Sequence, residues 1–245
     1  MAFSNINTIL FDYGGTLDTD GRHWSHILKE GYDAAGISVS EARFRDAYVV
    51  GERALARRPI IYPSDDFRTL LAKKVGLELD ALVTAGHLAF TPAERQRAID
   101  GVADYCDAYV RRNLETSRRV LDAARESGRR LVLVTNFYGN MAAVLRGYGL
   151  EGRFSAIVES AVVGVRKPDA AIYRLGLEAV GARAEDTLVV GDSYGKDIVP
   201  AKSLGCHAVW LRGQGWSPED DQLEAPLADA TIHHLAELTD LIRRD

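Results

Sequence analysis

Short apolar runs punctuate the chain unevenly. Residues 5–11 (NINTILF) form the first, ending at Asp12 and a glycine pair. The next, Leu131–Val134, comes more than a hundred residues later. After it the runs crowd together, at 154–158, 187–190, 207–211 and 230–232. Apolar positions at helical spacing fill the gaps, as over 168–180 and 193–204. Short apolar strands alternating with helices predict a doubly wound α/β fold with a parallel sheet. Ligands in such sheets bind beyond the carboxyl ends of the strands.

The long interval after the first run reads as helical. Ser40 is placed to cap a helix through Ala56, and Ser64 another through Lys74, with Tyr62-Pro63 breaking the pattern between them. Thr91, Pro92 and Glu94 spell a capping box with proline at the first helical position. Ile99, Val102, Cys106 and Tyr109 follow at helical spacing. The expected organisation is a core of residues 1–19 and 114–245, with a helical domain, 20–113, inserted after the first strand. Hinges are expected at 18–21 and 112–116.

Composition narrows the function. The 245 residues are 47% hydrophobic and 27% charged, enough for a sizeable core. A net charge of −5 argues against a general nucleic-acid binder. No apolar run reaches the roughly 18–20 residues of a membrane helix. No basic segment leading into an apolar one marks a signal peptide. Cys106 and Cys206 are too far apart in sequence for a disulfide framework or zinc knuckle and read as reduced thiols. A cytoplasmic protein, monomeric or homodimeric, with no membrane or nucleic-acid partner is expected.

Four clusters fall at predicted strand or helix ends. Asp12-Tyr13-Gly14-Gly15-Thr16 follows the first strand and Thr135-Asn136 the second. Lys167-Pro168 precedes a helix. Gly191-Asp192-Ser193 follows the fourth strand, with Asp197 five residues past Asp192. Taken singly, each has a plain alternative. Thr135-Asn136 and Asp192 suit helix caps, Asp197 suits a first helical turn, and Lys167 suits a solvated loop.

Together, in this order, they resemble the haloacid dehalogenase superfamily, mostly magnesium-dependent phosphohydrolases. The likeness covers both sides of the insert, which occupies the place of that family's helical cap. It implies a nucleophilic Asp12, a Thr135 hydroxyl on a phosphoryl oxygen, and Lys167 cancelling charge between the two. It implies Mg2+ held by Asp12, Asp192, Asp197 and the Gly14 carbonyl. Gly14, Gly15, Thr16 and Asn136 are expected around the phosphoryl group, since glycine lets a backbone N–H approach closely. The chemistry is coherent: a carboxylate attacking a phosphate dianion needs cations to cancel repulsion. Magnesium takes hard oxygen ligands, and lysine is a compact point charge.

One position departs from the pattern. The family's phosphatases carry a second Asp two residues after the nucleophile, which protonates the leaving oxygen; here it is Gly14. The expectation is therefore a hydrolase of a small phosphorylated metabolite whose leaving group needs little help, or one in which Asp18, Asp20, His23 or His26 substitutes. The alternatives are a phosphometabolite binder without turnover, or a phosphonate- or dehalogenase-type hydrolase. The phosphonate branch needs an insert lysine, and the insert offers Lys29, Lys73 and Lys74. Trp24, Arg53, Arg57, Arg58 and Tyr62 are weaker candidates for facing substrate. The adjacent His233 and His234 suit one metal poorly.

Overall fold

The computed structural model of the chain describes residues 3, 5–57, 59–221, 224 and 226–243, the side chains of Glu219 and Asp221 excepted. Arg58 therefore lies outside the described residues. Two compact units divide the chain: residues 1–23, 111–137 and 148–245 in one, 24–110 and 138–147 in the other.

The first unit holds a six-stranded sheet. Its strands are β1 (Thr8–Phe11), β2 (Arg130–Thr135), β3 (Ala156–Glu159), β4 (Thr187–Gly191), β5 (His207–Leu211) and β6 (Ala230–Ile232). They run parallel in the order β3-β2-β1-β4-β5-β6. Parallel strands covered on both faces read as near-continuous apolar runs, and every residue of β1 and β4 is buried. Phe11 pairs with both Leu133 and Val190. From β1 the chain winds outward through β2 and β3, then from β4 outward the other way. The winding reverses between β1 and β4, and that reversal opens a crevice beyond their carboxyl ends.

Helices α4 (Pro92–Glu126), α6 (Ser160–Val163), α7 (Ala171–Val180), α8 (Val199–Ser203), α9 (Pro218–Asp221) and α10 (Leu238–Ile242) belong wholly or partly to this unit. α7 buries Ile172, Tyr173, Gly176 and Leu177, one stripe of its surface. Ile172 and Tyr173 join Leu10, Val132, Val134 and Val189 in the core. A Cβ at Gly176 would stand 3.0 Å from Val134 and 3.1 Å from Leu10, so this glycine lets α7 lie close on the sheet. Gly181 ends α7 in the left-handed conformation.

The second unit is helical: α1 (Trp24–Ala34), α2 (Glu41–Arg57), α3 (Phe67–Thr84), the first part of α4, and α5 (Met141–Gly147). The capping box forms as read, with the Thr91 N–H donating to Glu94 at 2.8 Å. Two local expectations change. Asp66 rather than Ser64 caps α3, accepting from the Thr69 N–H at 2.8 Å. And α4 is one 35-residue helix running straight through 112–116, where a hinge is expected. No proline or glycine stands between Gly101 and Gly128, so nothing there breaks it.

The interior of this unit carries charge. Lys74 on α3 is buried, pairs with Glu52 on α2, and lies 4.1 Å from the Tyr48 ring centroid. Tyr138 also donates to Glu52, at 3.1 Å. Glu78, fully buried, accepts from the Tyr32 hydroxyl at 3.0 Å through Oε2, while its Oε1 has no hydrogen-bond partner. Gly51 on α2 makes room for it, since a Cβ there would stand 2.9 Å from Glu78. Burial pushes the Glu78 carboxyl up to about 7, against the opposing pull of Lys74 and Tyr32. Cys106 and Cys206 are buried free thiols. No helix among the described residues is long and apolar enough to cross a membrane.

Candidate active site

Asp12 follows β1 and keeps its ladder, donating its N–H to Val190 O at 3.0 Å. The chain then turns tightly, with the N–H groups of Thr16, Leu17 and Asp18 all reaching Tyr13 O. Asp18 fixes the turn by accepting the Gly15 N–H at 2.7 Å. Gly15 has a φ of +97°, and a Cβ there would fall 2.4 Å from the Asp192 carboxylate. Only glycine suits this position, on both conformational and steric grounds. Gly14 differs: it is exposed, and a Cβ there would meet nothing within 4 Å.

Asp192 follows β4. Its N–H donates to Thr16 Oγ1 at 3.0 Å, and its carbonyl accepts the Trp210 indole N–H at 2.8 Å. The Thr16 hydroxyl lies 3.1 Å from Asp192 Oδ1 and 3.3 Å from Asp12 Oδ2; its single proton serves one at a time. Asp197 sits on the wide helical turn 194–198 that leads into α8. Its Oδ1 accepts from Lys167 Nζ at 2.7 Å and Tyr173 OH at 2.6 Å; its Oδ2 accepts from the Ser193 N–H at 2.9 Å.

Lys167 is no solvated loop lysine. It is 4% exposed, and its ammonium bridges Asp197 and Asp12 Oδ1, the latter at 2.5 Å. Asn136 grips its main chain from both sides, donating to Lys167 O at 3.1 Å and accepting from Lys167 N at 2.8 Å. Thr135, the last residue of β2, is buried beside the strand that carries Asp12. The crevice thus joins Asp12, Thr16, Asn136, Lys167, Asp192 and Asp197 in one bonded network, with Gly15 packed against Asp192.

Asp12, Asp192 and Asp197 each offer a carboxylate oxygen, and these lie within 4.8 Å of one another. Two carboxylates share the Lys167 ammonium and a third stands beside them, an excess of negative charge that a divalent cation would balance. Hard oxygen donors suit magnesium. The electrostatics carry the same imprint. Burial, opposed by Lys167 and reinforced by Asp197, raises the Asp12 carboxyl above its ordinary value. Burial, with Asp12 and Asp197 adding to it, raises Asp192 well above. Burial works against the Lys167 charge, but Asp12 and Asp197 outweigh it, so the ammonium persists beyond the usual lysine range.

Tyr173 and Trp210 enter the site without a sequence signal, whereas Ser193 stands in the cluster after the fourth strand. A tyrosine five residues into a helical pattern is indistinguishable from an ordinary core aromatic. The acids near the first hinge are occupied. Asp20, at a φ of 53°, accepts from Leu235 N at 2.7 Å and faces His234 Nδ1 at 2.9 Å. That bond to Asp20 holds the His234 imidazole above its ordinary value. The His23 ring packs edge-on against Trp216, and the His23 backbone N–H donates to Gln214 O at 2.8 Å. Gly21 and Gly213 touch so closely that a Cβ on Gly213 would stand 2.1 Å from Gly21 O.

In the helical unit, Arg53 and Arg57 are exposed. Trp24 packs against Phe67, and Lys73 lies over the Tyr62 ring. Lys29 pairs with Asp33, and Lys73 pairs with Asp65.

A family model described as haloacid dehalogenase-like hydrolase matches residues 6–205. A phosphoserine phosphatase of Thermus thermophilus is 37% identical over 108 residues, 44% of this chain and 43% of that protein. A glyceraldehyde 3-phosphate phosphatase of Methanocaldococcus jannaschii is 38% identical over 96 residues, 39% and 40% of the two chains. This chain therefore spans less than half the length of these relatives. A solved dehalogenase structure superposes with a TM-score of 0.65 at 19% identity, covering 98% of each chain, which shows a shared fold.

Proposed function

The chain belongs to the haloacid dehalogenase-like hydrolases, and on that premise we propose that it is a magnesium-dependent phosphatase of a small phosphorylated metabolite. The observation that carries this reading is the Asp12–Lys167–Asp197 bridge with Asp192 beside it. The phosphatase relatives support it. Asp12, Asp192, Asp197 and the Gly14 carbonyl would hold Mg2+. When bound, the ion supplies positive charge against the phosphoryl oxygens.

The chain's own residues do the rest. Lys167 and Thr135 hold phosphoryl oxygens, and the backbone N–H of Asn136 with the Thr16 hydroxyl borders the same space, the Gly15 N–H being taken by Asp18. Asp12 forms an O–P bond while the bond from phosphorus to the leaving atom breaks, its electron pair departing with the leaving group. Water then attacks the aspartyl-phosphate, releasing phosphate and the Asp12 carboxylate, and the water's proton passes to solvent.

Gly14 sets the substrate class. It offers no proton, and Asp18 and Asp20 are already spent on Gly15, Leu235 and His234. Without a general acid, turnover of an alkyl phosphate falls by roughly 10²–10⁴-fold. The reading is therefore a phosphoryl group on an oxygen that departs readily as an anion, as in an acyl or aryl phosphate. A cytoplasmic setting suits two buried free thiols.

The test is hydrolysis of p-nitrophenyl phosphate and acetyl phosphate, with and without Mg2+, beside an Asp12→Asn control. Mg2+-dependent turnover that disappears in the control supports the reading. Failure on both substrates overturns it, since neither needs a proton donor.

A further inference from the structure

We infer that Phe137 is a specificity-determining residue whose ring receives the leaving group, and that the substrate is an aryl phosphate rather than an acyl phosphate; this rests on the phosphatase reading and narrows it.

The ring lies where the strands deliver the reacting groups. Asp12 follows β1, and Thr135 ends β2, the strand beside it. Tyr13 stands one residue past Asp12, and Phe137 two past Thr135. Their rings meet edge to face, with centroids 5.8 Å apart and planes at 80°. That is a geometry the ring quadrupoles favour. Tyr13 is fully buried and Phe137 half-buried, so the pair meets the outside through Phe137. Next to Tyr13 in the chain, Gly14 is exposed, and a Cβ there would meet nothing within 4 Å. The first loop thus leaves open space beside an aromatic pair.

The main chain that carries the ring is fixed. The Ser160 hydroxyl, at the start of α6, accepts the Phe137 N–H at 3.1 Å and donates to Phe137 O at 3.2 Å. Asn136, one residue earlier, bonds both main-chain groups of Lys167. Residues 136 and 137 are therefore each tied twice to the segment 160–167. A ring set in one place beforehand loses little freedom when a ligand lands on it.

Two unrelated features then select one leaving group. Gly14 supplies no proton, so the departing oxygen must be stable as an anion. A phenoxide and a carboxylate both meet that condition. Phe137 separates them, because it offers an aromatic surface to a ring and little to a small acyl group. An apolar surface beside a few polar anchors, here Lys167, Thr135 and Asn136, is the usual make-up of a small-molecule site.

The test compares p-nitrophenyl phosphate with acetyl phosphate in the unaltered protein and in Phe137→Ala, with Mg2+ present. The ratio of kcat/KM for the aryl ester to that for the acyl phosphate should fall by about three- to tenfold, the worth of one aromatic contact. Independently of turnover, calorimetric binding of phenylphosphonate should weaken by about the same factor relative to methylphosphonate. If Phe137→Ala does not fold, Phe137→Leu, which keeps apolar bulk and removes the ring, gives the same reading. Either ratio staying within about twofold of its value in the unaltered protein overturns the inference. So does phenylphosphonate that binds the unaltered protein no better than methylphosphonate. If the unaltered protein hydrolyses neither substrate, the phosphatase reading fails, and the two phosphonates still decide whether Phe137 receives a ring.

Discussion

At the scale of single residues, the two adjacent glycines of the first loop do opposite jobs. Gly15 is a steric necessity, because Asp192 occupies the space a side chain would need. Gly14 is under no such constraint: it is exposed, it is absent from the positive-φ positions, and a Cβ there has open space. Gly14→Asp should therefore fold and leave the bridge from Lys167 to Asp12 and Asp197 intact. It should raise turnover of an alkyl phosphate by roughly tenfold or more, with a smaller effect on p-nitrophenyl phosphate. Parallel kinetics on the two substrates check this. Equal effects on both would argue against proton donation as the missing function.

At the scale of elements, α3 carries a liability that pH exposes. Glu78 is buried with one oxygen unpartnered, and its carboxyl sits near 7 rather than 4.5. A carboxyl raised on folding favours the folded state only while it is protonated. Its contribution is full below about pH 4.5 and is lost progressively up to about pH 7, a window on the order of 3 kcal/mol. Denaturant unfolding near pH 5 and near pH 8 should show the fall, and Glu78→Gln should flatten it. The elements also show what the chain makes legible. β5 coincides with the apolar run at 207–211 because a strand covered on both faces, buried from Ala208 to Leu211, has little polar interruption, while β6 at the sheet edge matches 230–232 with only Ile232 buried. The course of α4 was less legible. A hinge was expected where a domain should end, yet the local sequence contains nothing that stops a helix. Asp66 displaced Ser64 as a cap because both residues suit the role and the neighbouring fold decides. In the site, charged residues at strand ends announce themselves, whereas Tyr173 and Trp210 look like core until their polar atoms are seen to bond.

At the scale of the whole molecule, the crevice between β1 and β4 stores electrostatic strain. Asp12 and Asp197 share a single ammonium, and Asp192 stands beside them. Removing one carboxylate should relieve repulsion and also remove a cation ligand. Asp192→Asn should accordingly raise Tm in the presence of a chelator and abolish the Mg2+-induced rise expected of the unaltered protein. Thermal unfolding with and without Mg2+ distinguishes this from a merely damaged fold, which would lower Tm in both.

The family match ends at residue 205, before β5 and β6 begin. Beyond it, Trp210 on β5 holds the Asp192 carbonyl, Gly213 presses on Gly21, and residues 234–235 hold Asp20. The recognisable signature and the folding unit are thus different lengths of chain. A fragment cut where the signature stops would retain each motif residue and lose the tether of the Asp192 loop. The proposed chemistry is not a portable cassette, because the Asp192 loop is tied to the far edge of the sheet.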